Sequence, residues 1–197
     1  MKLFLAIFII LLNLQFLSKA DDIEDFEIEG VSVGDKLFDH ITLTQFNDWE
    51  DYKFYYKDNK FVVMPCKLSS EQYDQVGCTF KNTSGRDYKI YGVNGTIQFP
   101  NNISKCLKKK DEVTKIFKDL LVNTEVIDRG TYEHDADPTG NSKQTVVDFE
   151  FKDSAYIRVV CHDWSDKLTK KNGWIDEFKV YLTSKELNFF INNVNYE

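Results

Sequence analysis

Val159-Val160-Cys161-His162-Asp163-Trp164 (VVCHDW, residues 159–164) sets a cysteine, a histidine and an aspartate side by side. These are the side chains of a thiol-nucleophile triad, so the conformation of this stretch decides between chemistry and scaffold. Neighbouring residues of a strand point to opposite faces. If the stretch is a strand, Cys161 faces the core with Ile157 and Val159, while His162 faces away. The two cannot then share a proton, and the apolar neighbours of Cys161 disfavour a thiolate. The stretch reads as scaffold.

Outward from it, the alternation continues through QTVVDFEF, AYIRVVCHDW and NGWIDEFKVYL, the last after a polar loop. Val147, Phe149 and Phe151 share one face of the first, Ile157, Val159 and Cys161 one of the second, and Trp174, Phe178, Val180 and Leu182 one of the third. TEVIDRGTYEH is a candidate fourth strand. Upstream, NNISKCLKKKDEVTKIFKDLLVN is the clearest helix, with Asn101 or Asn102 available to cap it. Ile103, Cys106, Leu107, Val113, Ile116, Phe117, Leu120 and Leu121 make its apolar stripe, and Lys108-Lys109-Lys110 its solvated flank. The chain closes with the helix TSKELNFFINNV. Thr183 and Glu186 form a capping box there, and Leu187, Phe190, Ile191 and Val194 are evenly spaced along one side.

The earlier region repeats this order. VSVGDKLFDHITLTQFNDW reads as two short helical turns, with Thr44 as a cap and His40 on the surface. YKFYYKD and NKFVVMPC meet at Asp58-Asn59, and QVGCTF follows. Tyr91–Phe99 fits one long strand, or a hairpin folded at Asn94-Gly95. The expected class is α+β, antiparallel sheet packed against a long helix, with possible helix-plus-four-strand halves over 32–99 and 102–197. That element order resembles secreted inhibitor domains of the β-lactamase-inhibitor type, a likeness that says little about activity.

Residues 1–20 have the grammar of a secretory signal: Lys2, the apolar run Leu3–Leu12, and small residues at Ser18-Lys19-Ala20. Removing twenty of 197 residues leaves 177 for a single secreted domain, residues 21–197. Losing Lys2 and Lys19 and no acids takes the formal charge from −7 to −9, which disfavours nucleic acid. No membrane span is expected after cleavage. In an oxidising compartment, periplasmic or extracellular, four cysteines read as two disulfides. Spacing alone permits three pairings. Cys106 on a helix stripe and Cys161 on a strand's inner face suit each other, which leaves Cys66 with Cys78. No cysteine spacing suggests a metal site.

Glu133, His134, Asp135 and Asp137 gather in one loop, where His134, Asp135 and Asp137 are the candidate metal ligands. Yet Asp137-Pro138-Thr139-Gly140 is also a good β-turn. On the sheet's outward side the alternation gathers Asp148, Glu150, Tyr156, Arg158, His162, Trp164, Glu177, Lys179 and Tyr181. Of these, Tyr156, Arg158, His162, Trp164 and Tyr181 are the candidate binding residues, aromatic bodies beside charged tips. An ordinary solvated face with cross-strand charge pairs, or a face buried against the same chain, is the plainer reading. No phosphate loop, serine elbow or zinc-protease motif is present, so no cofactor is expected.

DDIEDFEIEGVSVGDKLFD (21–39), KCLKKKDEV (105–113) and VVCHDW together resemble a group of exported proteins without known activity from AT-rich marine alphaproteobacteria of the Pelagibacter kind. The resemblance implies a periplasmic address and a joint role for Cys106 and Cys161. It carries no functional residues. The expected role is a non-catalytic binding domain for a protein, an envelope component or a small ligand. The alternative is a hydrolase or metal-dependent enzyme built on His134, Asp135 and Asp137, or on His162 with Asp148 or Glu150.

Overall fold

The computed structural model describes residues 22–68, 70–82 and 88–193; the expected signal segment, and Val194 of the last helix, lie outside them. A small hairpin opens the fold, β1 (Glu27–Ile28) and β2 (Val31–Ser32). Its two-residue turn, Glu29-Gly30, holds both φ angles positive, at 55° and 76°, the twist that suits a tight hairpin. A 3-10 turn at Leu37–Asp39 and helix α1 (Leu43–Asp48) follow. Thr42, rather than Thr44, caps α1, in a reciprocal pair with Gln45.

Eight strands then form one antiparallel sheet: β3 (Phe54–Tyr55), β4 (Phe61–Lys67), β5 (Gln75–Lys81), β6 (Ile90–Gln98), β7 (Glu125–Glu133), β8 (Lys143–Glu150), β9 (Tyr156–Asp163) and β10 (Glu177–Thr183). Their spatial order is β3-β4-β5-β6-β10-β9-β8-β7. Two four-stranded meanders therefore lie edge to edge, joined where β6 pairs with β10. The fold is α+β, as the alternation predicts. β6 is one continuous strand, so Asn94-Gly95 does not turn. Both neighbours, β5 and β10, pair across it, and that tertiary pairing overrides the local hairpin preference.

One face of the sheet is covered. Helix α2 (Ile103–Leu120), capped by Asn102, packs on β9 and β10. Ile23, Ile28, Val31, Val33, Leu37 and Ile41 from the N-terminal segment join the same core. Phe149, Ile157, Val159 and Phe178 are wholly buried there, with Val147, Val180 and Leu182 nearly so. Burial of a large side chain of this kind contributes about 1.5–3 kcal/mol.

The stripe on α2 holds for most of its length. Ile103, Leu107, Val113 and Phe117 pack against the core, and Cys106 and Leu121 lie within it. It departs from expectation at four positions. Cys106, Lys110 and Thr114 are its buried residues, whereas Ile116 and Leu120 stay almost half exposed. The bond from Cys106 to Cys161 fixes which way the helix faces, and Lys110 lies in that row, four residues on. Lys110 is thus not part of a solvated flank: its stem lies inward and its ammonium reaches Asp111 at 2.9 Å.

Helix α3 (Asp166–Asn172) occupies what the sequence suggests is a polar loop, and Gly173, φ 71°, ends it. Trp174 therefore precedes β10 rather than belonging to it. The final helix, α4 (Lys185–Asn193), is capped by Ser184, whose Oγ accepts from Leu187 N, not by Thr183. It crosses the sheet's other face, where Leu187 and Phe190 bury against Phe61 beside Tyr56, Tyr91 and Ile191. None of the described helices is long and apolar enough to cross a membrane.

Both disulfides pair as the helix stripe and strand face suggest, Cys66 with Cys78 and Cys106 with Cys161. No free thiol remains, so a cysteine nucleophile is excluded. Such bridges fit a disulfide-stabilised domain of extracellular type.

Candidate functional site

The sheet face that α2 does not cover is only partly closed, by α4 at one end. Three rows of residues run across it by strand register. Gly77, Asn94, Tyr181, Arg158 and Asp148 form the first. Gln75, Thr96, Lys179 and Val160 form the second. Gln98, Glu177, His162, Gln144 and Tyr132 form the third. Glycine matters at two points. A Cβ on Gly77 would stand 2.5 Å from the Asn94 side chain, and one on Gly92 would stand 2.7 Å from Leu187. The bare backbone thus makes room for an amide on the floor and for α4 at the end wall.

This is not a solvated face. Asp148 is 3% exposed and His162 6%, and each is held by a partner. Arg158 donates through Nε and Nη2 to the two Asp148 oxygens, at 2.7 and 2.9 Å, and Arg129 donates to the same carboxylate. Arg158 also lies 5.2 Å from the Tyr156 ring centre. Burial lowers the pKa of the guanidinium, but Asp148 more than offsets it, so the net shift is upward. Lys179 Nζ sits 2.6 Å from Glu177 Oε1. His162 Nδ1 is 3.3 Å from the same oxygen; since an ionised carboxylate only accepts, the proton belongs on Nδ1.

Burial raises the Tyr156 and Tyr181 pKa values, which keeps both hydroxyls protonated as donors. For Lys179, burial pulls downward, and Tyr181 with Glu177 returns the ammonium above its ordinary value. The histidine is different. Burial lowers His162 despite Glu177, so it stays neutral at pH 7.

One end of the face is an aromatic cluster. His134 lies 5.1 Å from His162 and 4.4 Å from Trp164, ring centre to ring centre, and Trp164 lies 4.5 Å from Trp174. Asp137 explains how a loop residue is placed there. Its carboxylate accepts from the Thr139 and Ser142 amides and from the Thr139, Ser142 and Ser165 hydroxyls. That pins the β7–β8 loop to the start of α3, and His134 N closes the loop onto Ser142 O. The expected turn is present, with Gly140 N bonded to Asp137 O at 2.9 Å.

The metal reading of His134, Asp135 and Asp137 finds no support in this geometry. Asp137 turns inward to its five donors, and among the described residues no group of three or more His, Cys, Asp or Glu side chains converges as metal ligands. His40 is not a plain surface residue either; its Nε2 meets Asp35 Oδ2 at 2.9 Å.

The rows enclose a groove of about 470 Å3, within the range of small-molecule sites. Tyr156, Arg158, His162, Lys179 and Tyr181 form one side, and Gly77, Asn94 and Thr96 part of the floor. His134 and Gln144 stand at one end, Leu187 and Ile191 at the other. A larger hollow of about 790 Å3, between the N-terminal segment and α4, is walled by well-exposed charges such as Lys89 and Glu24 and lacks this buried polar floor.

Of the five candidate binding residues, four wall the groove; Trp164 stands behind His134 instead. Asn94, Thr96 and Gln144 were missed on sequence. The phase of β6 carries the signal for the first two, since Val93, Gly95 and Ile97 face inward and their alternates must face out. Compared with protein-family models, curated proteins and solved structures, the chain matches none.

Proposed function

We propose that this chain is an exported, disulfide-stabilised, non-catalytic binding domain whose groove-bearing sheet face is its ligand surface. The observation that carries this reading is the groove itself. Its floor is polar and aromatic, its charges are already paired within the protein, and among the described residues no second layer fills it. Preformed pairs of this kind need no reorganisation when a ligand arrives, which favours affinity. The tyrosines supply large contact area with few rotors to freeze. A protein, an envelope component or a small ligand all present surfaces such a face accepts. The periplasm, or the space outside the cell, is the compartment that suits the two disulfides.

A fragment library titrated against the labelled protein tests the reading. Hits should perturb backbone signals of Asn94, Gln144, Tyr156 and Tyr181 together. Gln144→Trp, which fills one end of the groove and leaves the ion pairs intact, should abolish those hits while the fold persists. Hits that cluster elsewhere, or that survive Gln144→Trp unchanged, would remove the groove as the binding surface.

A further inference from the structure

The charge pattern of the groove goes further than its shape. Aspartate and glutamate make up 32 of the 197 residues, and the chain carries a formal charge of −7. Yet no aspartate or glutamate is among the described residues that wall the groove, whereas Arg158, Lys179, His134 and His162 all do. Asp148 and Glu177 balance the cations through direct pairs. Asp148 and Glu150 wall a smaller, adjoining hollow that shares Tyr156, Arg158 and Ile191 with the groove. The described carboxylates thus stay off the groove's own walls.

The two cations also keep donors to offer. Asp148 takes Nε and Nη2 of Arg158, which leaves the Nη1 edge of the guanidinium outside that pair. An ammonium has three donors, and Lys179 meets Glu177 through one of them and Tyr181 through another. The register sets these two heads on adjacent strands, with Tyr181 directly opposite Arg158 and Lys179 two residues before it. Diagonal neighbours on one sheet face lie within reach of a shared group.

We propose that the groove binds a ligand through a single carboxylate, seated between Arg158 and Lys179, with the ligand's body against Tyr156 and Tyr181. This rests on the reading of the groove as a binding surface and names the chemistry it selects. Arg158 and Lys179 are offset by Asp148 and Glu177, so a ligand is met by the spare donors of two paired cations rather than by a surplus charge. A carboxylate brings one negative charge to that seat, whereas a phosphate dianion brings two. A carboxylate is also planar and matches a guanidinium edge. The protonated hydroxyls of Tyr156 and Tyr181, and the amides of Asn94 and Gln144, supply neutral donors around it. The carboxylate can belong to a free small acid or to the end of a chain.

Probes sharing one body separate these possibilities. Phenylacetate, phenylacetamide and phenylphosphonate are titrated against the labelled protein at pH 7, with N-acetylphenylalanine as the mimic of a chain end. Phenylacetate should shift the groove signals and bind at least about tenfold more tightly than the amide, with the phosphonate weaker than the carboxylate. Tighter binding of N-acetylphenylalanine points to a chain end, and tighter binding of phenylacetate to a free acid. Glu177→Gln combined with Lys179→Met removes a pair without stranding a charge, which preserves the fold. It should erase the preference for the acid, so that this variant binds phenylacetate no more tightly than phenylacetamide. Equal affinity for acid and amide, or a preference untouched by the double substitution, overturns the carboxylate site while the groove remains a binding surface. Silence of the groove to every probe also overturns it, and the Gln144→Trp screen then decides the groove independently.

Discussion

The two faces of this sheet are made by alternate residues of the same strands, and they solve the problem of burial in opposite ways. On the covered face Val147, Phe149, Ile157, Val159, Phe178 and Val180 exclude water by apolar contact, and a disulfide ties the covering helix to β9. On the groove face Asp148, Arg158, Glu177 and Lys179 are withdrawn from water only because each has an ionised or donor partner. The first arrangement tolerates the loss of any one contact gradually. The second is pairwise, and removing one member leaves a charge in a poorly hydrated place. That difference explains why a stable scaffold can carry a polar hollow. The covered face holds the strands in register, and the groove face needs only to satisfy its own donors and acceptors.

The largest test of this contrast lies on the covered face. Replacing Cys106 and Cys161 together by serine releases a closure of 55 residues, which the chain-entropy model values at about 4 kcal/mol. The Cys66–Cys78 closure, 12 residues apart, is worth about 3 kcal/mol on the same basis. Against a typical net stability of about 5–15 kcal/mol, either loss is substantial. Urea unfolding should rank the Cys106–Cys161 variant as the less stable. The reverse ranking would show that α2 is held by packing rather than by its bridge.

Next in size is the groove face. Asp148→Ala strands Arg158, whose side chain is only 30% exposed, and should destabilise by about 3 kcal/mol. Asp148→Leu with Arg158→Met replaces the pair by apolar volume and should recover most of that loss, because Arg129, the carboxylate's second partner, is 44% exposed and can turn to water. Urea midpoints of the single and double variants measure the difference. A single-variant loss under about 1 kcal/mol, the size of a surface pair, would mean that the groove face is as wet as an ordinary exterior.

The contrast between the faces also explains what was legible beforehand. Strict alternation placed Val147 with Phe149, Ile157 with Val159 and Cys161, and Phe178 with Val180 and Leu182, because apolar burial leaves a period in the sequence. On α2 the period placed Ile103, Leu107, Val113 and Phe117 correctly and misled at Ile116, Leu120, Lys110 and Thr114. Lys110 can bury its stem and Thr114 is small, so both fit an inward row that a hydrophobicity pattern assigns to solvent. Helix α3 has a single buried apolar residue, Leu168, and hence no stripe to recognise. The membership of the groove face followed from strand phase, but its enclosure did not. That depends on where α4 and the β7–β8 loop come to rest, which is set by Gly92 admitting Leu187 and by Asp137 reaching Ser165.

The smallest expected effect concerns the histidine end of the groove. His134 is lowered from 6.5 to about 4. Burial against His162 and Trp164 is the main cause, the neighbouring His162 adds to it, and Asp135 opposes it. Lys179 also lowers it from β10, and Glu177 raises it from the same strand. Between those two values the unfolded chain binds more protons than the folded one, so stability rises with pH across this window. It is lost as pH falls from about 6.5 toward 4. His134 is only half buried, so the loss from pH 7 to pH 5 should be roughly 1 kcal/mol after allowance for solvent screening. His134→Gln keeps a polar group of similar size without a titrating ring, and should remove that part of the slope while leaving stability at pH 7 little changed. Urea unfolding at pH 7, 6 and 5 avoids the region where the carboxylates begin to protonate. Parallel pH profiles for the two proteins would mean that His134 opens to water on protonation, and that this end of the groove is hinged rather than packed.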